Sequence, residues 1–514
     1  MANTGLFASA IAKLLPAPDM VNREGAPAYA LGAEATLAQL AATGTLNDSF
    51  YASAQTHLAE AIAAAKAADP IFVAKAAVYA RKAGAMKDMP ALLAAYLTVA
   101  EPDLAVRVFG RVIDNGRMLR TFVQIMRSGQ VGRTSLGTRP KRLVKLWLEH
   151  ASMRDLMAAA TGNDPSLADV VRMVHPNPKD ESRRAFYGWL IGKPYDVAAL
   201  PVEIAAFEAW KRDPSGPLPP VPFLWLTALP LTAEQWGELA CTMGWQALRM
   251  NLNTLARNGA FAVEGVAEAV AIRLSDKDAI SKARVLPYQL MVALESAGEG
   301  VPLKVQAALE DALEASVSNV PTVPGRVVVC PDVSGSMRSP ATGYRKGATS
   351  KVSCNDVAAL VAAAVLRANR EARVLPFEVD VVPIKLDPFA RLAVNTAKLA
   401  AIGGGGTAVS APLAKLNAEK AAVDLVVIVS DNASWVDARA GATATMREWE
   451  KLKGRNRAAK LVCVDIQAHG STQASGRADI LNVGGFSDAV FETIARFASG
   501  DARDWVSIVN ETEV

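Results

Sequence analysis

Residues 325–337 read GRVVVCPDVSGSM, and this stretch decides the fold of the second half of the chain. Residues 327–330 are a short apolar run without helical spacing, the pattern of a strand buried on both faces. The run leads directly into Asp332, Ser334 and Ser336, which alternate along a tight loop containing glycine. In open α/β sheets, ligands bind beyond the carboxyl ends of the strands. A carboxylate and two hydroxyls in that place suit a hard divalent cation.

Two later stretches add oxygen ligands of the same kind. A glycine run at 403–406 ends in Thr407, whose hydroxyl lies on a flexible loop. A second apolar strand pattern, at 425–429, delivers Ser430 and Asp431 at its carboxyl end. The chain therefore contains, in order, D-x-S-x-S, a threonine and a further aspartate.

This ordered set resembles the metal-ion-dependent adhesion site of a von Willebrand factor A domain. In that family the two serines and the threonine contact magnesium, and the two aspartates act mainly through water. The sixth position is left for an acidic group on a protein partner. The resemblance implies a divalent metal cation, with Mg²⁺ the expected ion, at Asp332, Ser334, Ser336, Thr407 and Asp431.

The length and composition of the chain set broad limits. With 514 residues, of which 51% are hydrophobic, two or three domains are expected. The apolar runs are too short for a membrane span, and the amino terminus shows no basic leader, so a soluble, cytoplasmic chain is expected. The four cysteines are far apart, which favours neither a zinc site nor a disulfide framework. The net charge of +4 decides nothing by itself.

The pattern of the chain changes near residue 320. Before it, alanine- and leucine-rich stretches with helical spacing alternate with tight turns, which predicts a helical solenoid without a strict sequence period. The linker VPTVP at 320–324 leads into apolar strand patterns that alternate with helices, which predicts a parallel, doubly wound sheet. The strand patterns include residues 374–382. The predicted domains are 1–320 and 321–514.

One window of the helical half is chemically informative. Residues 117–154 contain nine arginines and lysines, and Glu149 is the only acid among them. Within it, Arg139, Lys141 and Arg142 cluster where a helix is expected to begin at Pro140, and Lys145 extends the same face. Bases at a helix N-terminus favour phosphate, so the window predicts nucleic-acid binding. The alternative is a solvated helix face whose charges pair with acids elsewhere in the chain.

Four stretches of the first half together resemble the Ro autoantigen family, also called the TROVE-domain family. They read NREGAPAYALG at 22–32, ARKAGAMKDMPALLAAYL at 80–97, GRTSLGTRPKRLVKLWLEH at 132–150 and ADVVRMVHPNPKD at 168–180. The family fold is an α-helical ring of HEAT-like repeats (an α-solenoid) followed by an α/β doubly wound von Willebrand factor A domain. Both resemblances occur here in that order.

The resemblance implies RNA binding without catalysis. Family members pass the single-stranded 3′ ends of misfolded or structured RNA through the ring, bind a small noncoding Y RNA on an outer basic surface, and in bacteria work with RNA-processing nucleases. It also implies a monomer and a role in noncoding-RNA quality control. At Leu167 this chain has an apolar residue where some members place a histidine or lysine that faces RNA. The RNA contacts that the resemblance carries over are Arg133, Arg139, Lys141, Arg142, Lys145, Arg172 and His175.

Two alternatives stay open at this point. His175 precedes a proline at a helix end, where a histidine is often a cap or a core residue.

The chain also lacks the P-loop, H-E-x-x-H and G-x-S-x-G motifs, which argues against an enzyme. A competing function is a protein-interaction scaffold that binds an acidic partner at the metal site. The identity of the RNA does not follow from the residues.

Overall fold

The computed structural model describes residues 17–22, 24–44, 46–48, 52–84, 86–283, 285, 287–341, 351–431, 443–467, 471–485, 489–500 and 505–514. The amino-terminal residues 1–16, which were expected to carry no leader, lie outside this part. Within the described part, no helix is both long enough and apolar enough to cross a membrane.

The helices before the first large sheet strand account for most of the amino-terminal region. They are α1 (Ala33–Thr43), α2 (Ala54–Ala67), α3 (Pro70–Lys82), α4 (Asp88–Ala100), α5 (Pro102–Val112), α6 (Gly116–Arg127), α7 (Thr138–His150), α8 (Met153–Ala159), α9 (Leu167–Val174), α10 (Glu181–Ile191), α11 (Val202–Arg212), α12 (Phe223–Leu226), α13 (Ala233–Thr242), α14 (Trp245–Met250), α15 (Leu252–Arg257), α16 (Val266–Leu274), α17 (Lys277–Lys282), α18 (Pro287–Ser296) and α19 (Leu303–Ser316). Short 3₁₀ helices occupy Ala260–Ala262 and Val317–Asn319.

The remaining elements alternate between strand and helix. Two short strands lie near the amino terminus, β1 (Met20–Val21) and β2 (Pro27–Ala30). The later strands are β3 (Val327–Pro331), β4 (Arg373–Val374), β5 (Leu425–Ser430), β6 (Lys460–Asp465), β7 (Ser471–Thr472) and β8 (Ile480–Gly484). The later helices are α20 (Cys354–Ala368), α21 (Leu392–Ala400), α22 (Ala411–Ala418), α23 (Ala444–Arg455), α24 (Ala489–Ala498) and α25 (Trp505–Asn510), with a 3₁₀ helix at Gly335–Arg338.

Side-chain caps explain where several helices begin. At the start of α3, Asp69 accepts a 2.7 Å hydrogen bond from the backbone N–H of Ile71, and Pro70 occupies the first turn. At the start of α20, Ser353 and Asp356 form a reciprocal capping box. The prediction of a mostly helical first half followed by a parallel-sheet domain is confirmed.

Contacts among the described residues divide the chain into two compact units. One unit consists of Met1–Ala68, Ser275–Ser296 and Ala308–Glu511, and contains every strand. The other consists of Asp69–Leu274, Ala297–Ala307 and Thr512–Val514, and is helical. Most helices precede residue 320 and the main sheet follows it, while amino-terminal residues pack with the sheet. The division into domains 1–320 and 321–514 stays a prediction.

The main sheet has five parallel strands in the order β4-β3-β5-β6-β8. Every residue of β3 and β5 is buried, as expected for strands covered on both faces. The register pairs Pro331 with Val429, and Ser430 with Asp465. The carboxyl ends of β3, β5 and β6 therefore meet at one edge of the sheet, which we call the ligand edge.

The predicted strand at 374–382 is wrong beyond Val374. The strand β4 contains only Arg373 and Val374, and the chain continues as isolated bridges through Phe377. Pro376 has no N–H to donate, and β4 is the outermost strand of the sheet. Outermost strands are often short.

A second, small sheet was not predicted. It has the order β1-β2-β7, and in it Tyr29 pairs with Thr472 and Ala30 with Ser471. The side chain of Tyr29 is 5% exposed and belongs to the same apolar core as Val328 and Trp449. The amino-terminal residues thus extend the core of the sheet unit.

Candidate functional site

Asp332, the first residue after β3, is held by three hydrogen bonds at the ligand edge. Its backbone N–H donates to the carbonyl of Val429 at 2.8 Å. Its Oδ1 accepts from the N–H of Ser334 at 2.9 Å, and its Oδ2 accepts from the hydroxyl of Ser430 at 2.6 Å. The side chain is fully buried. The carboxylate therefore has one fixed orientation before any ligand is considered.

The two serines of the D-x-S-x-S loop lie side by side. The Oγ atoms of Ser334 and Ser336 are 3.4 Å apart, and Ser334 is 1% exposed. The chain turns directly into the 3₁₀ helix at Gly335–Arg338, which keeps the two hydroxyls on the same side. Their oxygens converge beside the Asp332 carboxylate.

The glycine loop brings Thr407 to these serines. The N–H of Gly335 donates to the carbonyl of Gly405 at 3.2 Å, and the N–H of Gly404 donates to the carbonyl of Val333 at 3.3 Å. Gly405 has a φ of +62°, and a Cβ there would collide with the carboxylate of Glu378. Glycine is therefore required at this position, and the loop places Thr407, 3% exposed, beside the D-x-S-x-S loop.

Asp431 follows β5 and is 1% exposed. Burial, and in second place the carboxylate of Asp431, raises the pKa of Asp332 to about 7. Two buried carboxylates that disfavour each other's charge are a setting that a cation stabilises. The donor set is made of carboxylate and hydroxyl oxygens, and it fits a hard divalent cation such as Mg²⁺. The structure thus brings all five predicted metal residues to one edge of one sheet.

The basic window contains a cavity of about 800 Å³, which we call the basic cavity. Its charged lining is Arg127, from the end of α6, with Lys141, Arg142 and Lys145 from α7. The rest of the lining is the loop at 134–138 and Met173. Within the described part of the chain, none of the four basic side chains has an ion-pair partner.

Helix α7 points its amino terminus at this cavity. The helix begins at Thr138, so the expectation that Pro140 is its first residue is wrong by one half turn. Gly137 precedes the helix with a φ of +70°, and a Cβ there would lie 2.7 Å from Nη1 of Arg133. The loop at 134–138 can therefore turn sharply, and Gly137 and Thr138, at the start of the helix, line the cavity.

Residues 326–498 match the family model described as the Ro60 vWA domain. A relative from Deinococcus radiodurans, named RNA-binding protein RO60, is 27% identical over 522 aligned positions, which cover 93% of this chain and 95% of the relative. The chain is similar to Ro-family proteins along nearly its whole length. The crystal structure of the Deinococcus radiodurans RO (RSR) protein matches this chain with a TM-score of 0.64 and 24% identity, over 91% of this chain and 100% of that one, which shows a shared fold.

The other residues that the resemblance carried over as RNA contacts do not line the basic cavity. Arg139 forms an ion pair with Asp103 at 3.2 Å. Arg172 donates to Asp169 at 3.4 Å and to the carbonyl of Ile191 at 3.1 Å. His175 is exposed and ends α9 with a φ of +51°. Arg133 lies against Gly137, behind the loop.

The contacts of two candidate residues could not be predicted from the sequence. Arg127 lies in the basic window, but only the packing of α6 against the loop before α7 shows that it shares a cavity with Lys145. Ser430 was noticed as a strand-end residue, but its bond to Asp332 depends on the pairing of β3 with β5. Local spacing carries no information about either contact.

Proposed function

We propose that this chain is a member of the Ro family and an RNA-binding protein that takes up single-stranded 3′ ends of misfolded or structured RNA at the basic cavity. The observation that carries the proposal is the group Arg127, Lys141, Arg142 and Lys145. These four cations surround one cavity and have no ion-pair partner among the described residues. The printed name of the relative from Deinococcus radiodurans, an RNA-binding protein, supports the same function.

The mechanism is electrostatic. The arginine and lysine side chains around the cavity attract the phosphates of a polynucleotide. The counterions released from the RNA favour binding at low salt. The amino terminus of α7 adds backbone N–H groups and the positive end of the helix dipole. Because phosphates are the same in every nucleotide, we expect the affinity to depend weakly on RNA sequence and strongly on salt concentration.

Several finer roles form part of the proposal and rest on the family resemblance. They are a Y-like small noncoding RNA on the outer basic surface, a function in noncoding-RNA quality control, and an RNA-processing nuclease as a partner that supplies the catalysis. We also propose that a cytoplasmic monomer carries them out, with residues 1–320 as the RNA-binding domain and residues 321–514 as the metal-binding domain.

At the ligand edge we propose a bound Mg²⁺. The hydroxyls of Ser334, Ser336 and Thr407 would contact the cation, and Asp332 and Asp431 would hold it through water. The support is the all-oxygen donor set and the electrostatic conflict between the two buried carboxylates, which a dication relieves. When bound, the cation would supply a Lewis-acidic position for an acidic side chain of a protein partner. Such a site captures a carboxylate rather than activating water, so we propose no catalysis here.

The buried adhesion-type site also favours a second candidate function, a metal-dependent protein-interaction scaffold. The two functions differ in which surface they require. Under RNA binding, Asp332→Ala leaves RNA affinity intact and removes only magnesium-dependent protein partners. Under the scaffold function, reversing the charges of the basic cavity leaves every interaction of the chain unchanged.

The first experiment compares a labelled RNA duplex that has a single-stranded 3′ tail with the blunt duplex. Binding to the full chain is measured by fluorescence anisotropy at several salt concentrations. We expect binding that requires the tail and weakens steeply with salt. Failure of both RNAs to bind at low salt overturns the proposed RNA function and leaves the scaffold.

A charge-reversed variant then locates the RNA. The triple change Lys141→Glu, Arg142→Glu and Lys145→Glu should abolish binding of the tailed duplex. The matched control makes the same change in net charge at exposed lysine and arginine side chains of the sheet unit. It should bind the tailed duplex as the wild type does. This control carries Lys398→Glu, Lys420→Glu and Arg457→Glu. Equal loss in both variants would show that only net charge matters.

A further inference from the structure

A third carboxylate lies at the ligand edge beside the five metal residues. Asp465 is the last residue of β6, and its Cα is paired in register with that of Ser430, the neighbour of Asp431. The N–H of Ile466 donates to the carbonyl of Ser430 at 2.9 Å, which continues the β5–β6 pairing past the strand ends. Each of three adjacent parallel strands therefore has an aspartate at its carboxyl end or directly after it, all on the ligand edge.

The side chain of Asp465 is buried and incompletely satisfied. It is 2% exposed, and its Oδ2 has no hydrogen-bond partner among the described residues. A buried carboxylate oxygen without a donor is unfavourable, because burial removes the water that would otherwise solvate it. This oxygen is thus a place where a donor or a positive charge is expected.

The other carboxylates of the same sheet are satisfied differently. Asp424, at the amino end of β5, accepts hydrogen bonds from Arg326, and Asp479, before β8, accepts from Arg477 and Trp449. Asp465 has no such cation in the described part of the chain. Burial, followed by the charge of Asp431, raises the pKa of Asp465 well above its usual value. The charge of Asp465 is therefore repelled by Asp431, one of the predicted metal residues.

Asp465 is not one of the five predicted metal residues, and among the described residues it belongs to no cluster of acids, histidines or cysteines that could hold a metal ion by itself. A carboxylate next to a metal site, but outside it, acts through a ligand water or by orienting a neighbouring ligand. This leaves a role in the outer coordination shell.

We propose that Asp465 is a positioning residue of the metal site, whose free carboxylate oxygen accepts a hydrogen bond from water bound to the cation beside Asp431. The proposal rests on the magnesium site proposed above. The negative charge of the ionised Asp465 carboxylate would also add to the attraction for a dication. Substitutions of carboxylates in such outer shells weaken metal binding by about 10- to 100-fold, so a weakening of about tenfold or more is expected here.

The test uses the full chain after treatment with a chelator. Calorimetric titration with MgCl₂ alone gives the Kd of the wild type, of Asp465→Asn, and of Asp465→Ser in case the amide variant fails to fold. The matched control is Asp424→Asn, which removes a carboxylate from the opposite edge of the same strand pair. We expect Asp465→Asn to bind Mg²⁺ about tenfold or more weakly, and Asp424→Asn to bind like the wild type.

Thermal unfolding with and without MgCl₂ supplies the readout that a merely structural residue would not move. Without metal, Asp465→Asn should be as stable as the wild type or more stable, because it removes a charge repelled by Asp431. With metal, it should gain less stability than the wild type. Unchanged Mg²⁺ affinity of Asp465→Asn, or of Asp465→Ser, overturns this inference alone. A wild type that neither binds Mg²⁺ nor is stabilised by it overturns the metal site on which the inference rests.

Discussion

The hydroxyl of Ser430 donates a 2.6 Å hydrogen bond to Oδ2 of Asp332, and this bond joins the ends of two neighbouring parallel strands. The N–H of Ser334 occupies the other carboxylate oxygen. Asp332 is thus oriented by the sheet and by its own loop together. This arrangement is consistent with an aspartate that orders water around a cation, because its two oxygens already have fixed protein donors.

Replacing Ser430 with alanine tests this orientation. Removing the donor leaves one oxygen of a buried carboxylate without its partner, so we expect the free energy of unfolding to fall by about 1–3 kcal/mol. Mg²⁺ affinity should fall as well. Urea denaturation and calorimetry measure the two effects. Ser318→Ala is the control, because its exposed hydroxyl bonds only to the carbonyl of Ala315, and a loss no larger than in this control would contradict the prediction.

The glycine loop predicts a strong effect of Gly405→Ala. The added methyl group meets the Glu378 carboxylate at a backbone conformation that side chains rarely adopt. We expect a loss of about 1–3 kcal/mol in the free energy of unfolding and weaker Mg²⁺ binding, since the loop positions Thr407. In contrast, Gly454→Ala lies in helix α23 with open space around it and should be neutral or stabilising. Equal effects of the two changes would refute the strain argument.

The salt dependence of RNA binding distinguishes the basic residues from one another. Lys145 lines the basic cavity without an ion pair among the described residues, whereas Arg172 is engaged with Asp169 and Ile191. We expect Lys145→Gln to lower the slope of log K against log salt by about 0.7 for single-stranded RNA. Arg172→Gln should change the slope less. Anisotropy titrations at a series of salt concentrations measure both slopes, and a larger change for Arg172→Gln would move the RNA away from the cavity.

The ion pair at the amino edge of the sheet predicts an acid-dependent stability. Hydrogen bonds from Arg326 lower the pKa of Asp424 to about 2, below the usual 3.8. The ionised carboxylate therefore stabilises the folded state above pH 4, and this contribution is lost as the pH falls from about 4 to 2. Because Asp424 is 37% exposed, we expect no more than about 1 kcal/mol.

The comparison of wild type with Asp424→Asn isolates this contribution. Urea denaturation at pH 6 should show the wild type to be more stable, and the difference should shrink as the pH approaches 2. A difference that is constant between pH 6 and pH 2 would mean that Asp424 does not titrate in this range.

Much of the metal site could be predicted from local sequence, and little of the basic cavity could. The D-x-S-x-S loop, Thr407 and Asp431 each follow a strand or glycine pattern that is visible over a few residues, so their common edge follows from parallel pairing alone. Around the basic cavity local spacing identified Lys141, Arg142 and Lys145, whereas the family resemblance carried over Arg172, which does not line the cavity. The direction of an arginine depends on which acid packs beside it, and the spacing of Arg172 does not reveal its bond to Ile191.

The sequence by itself determined the order of the chain: helices first, then a parallel sheet whose strand ends carry hydroxyls and carboxylates. It did so because apolar periodicity and turn residues act over short distances. Only the tertiary structure decided that Tyr29 joins the core of the sheet through pairing with Thr472, that Ser430 holds Asp332, and that Asp465 lies buried beside Ser430 on the neighbouring strand. Each of these depends on strands far apart in the chain being paired in register, and register is a property of the assembled core.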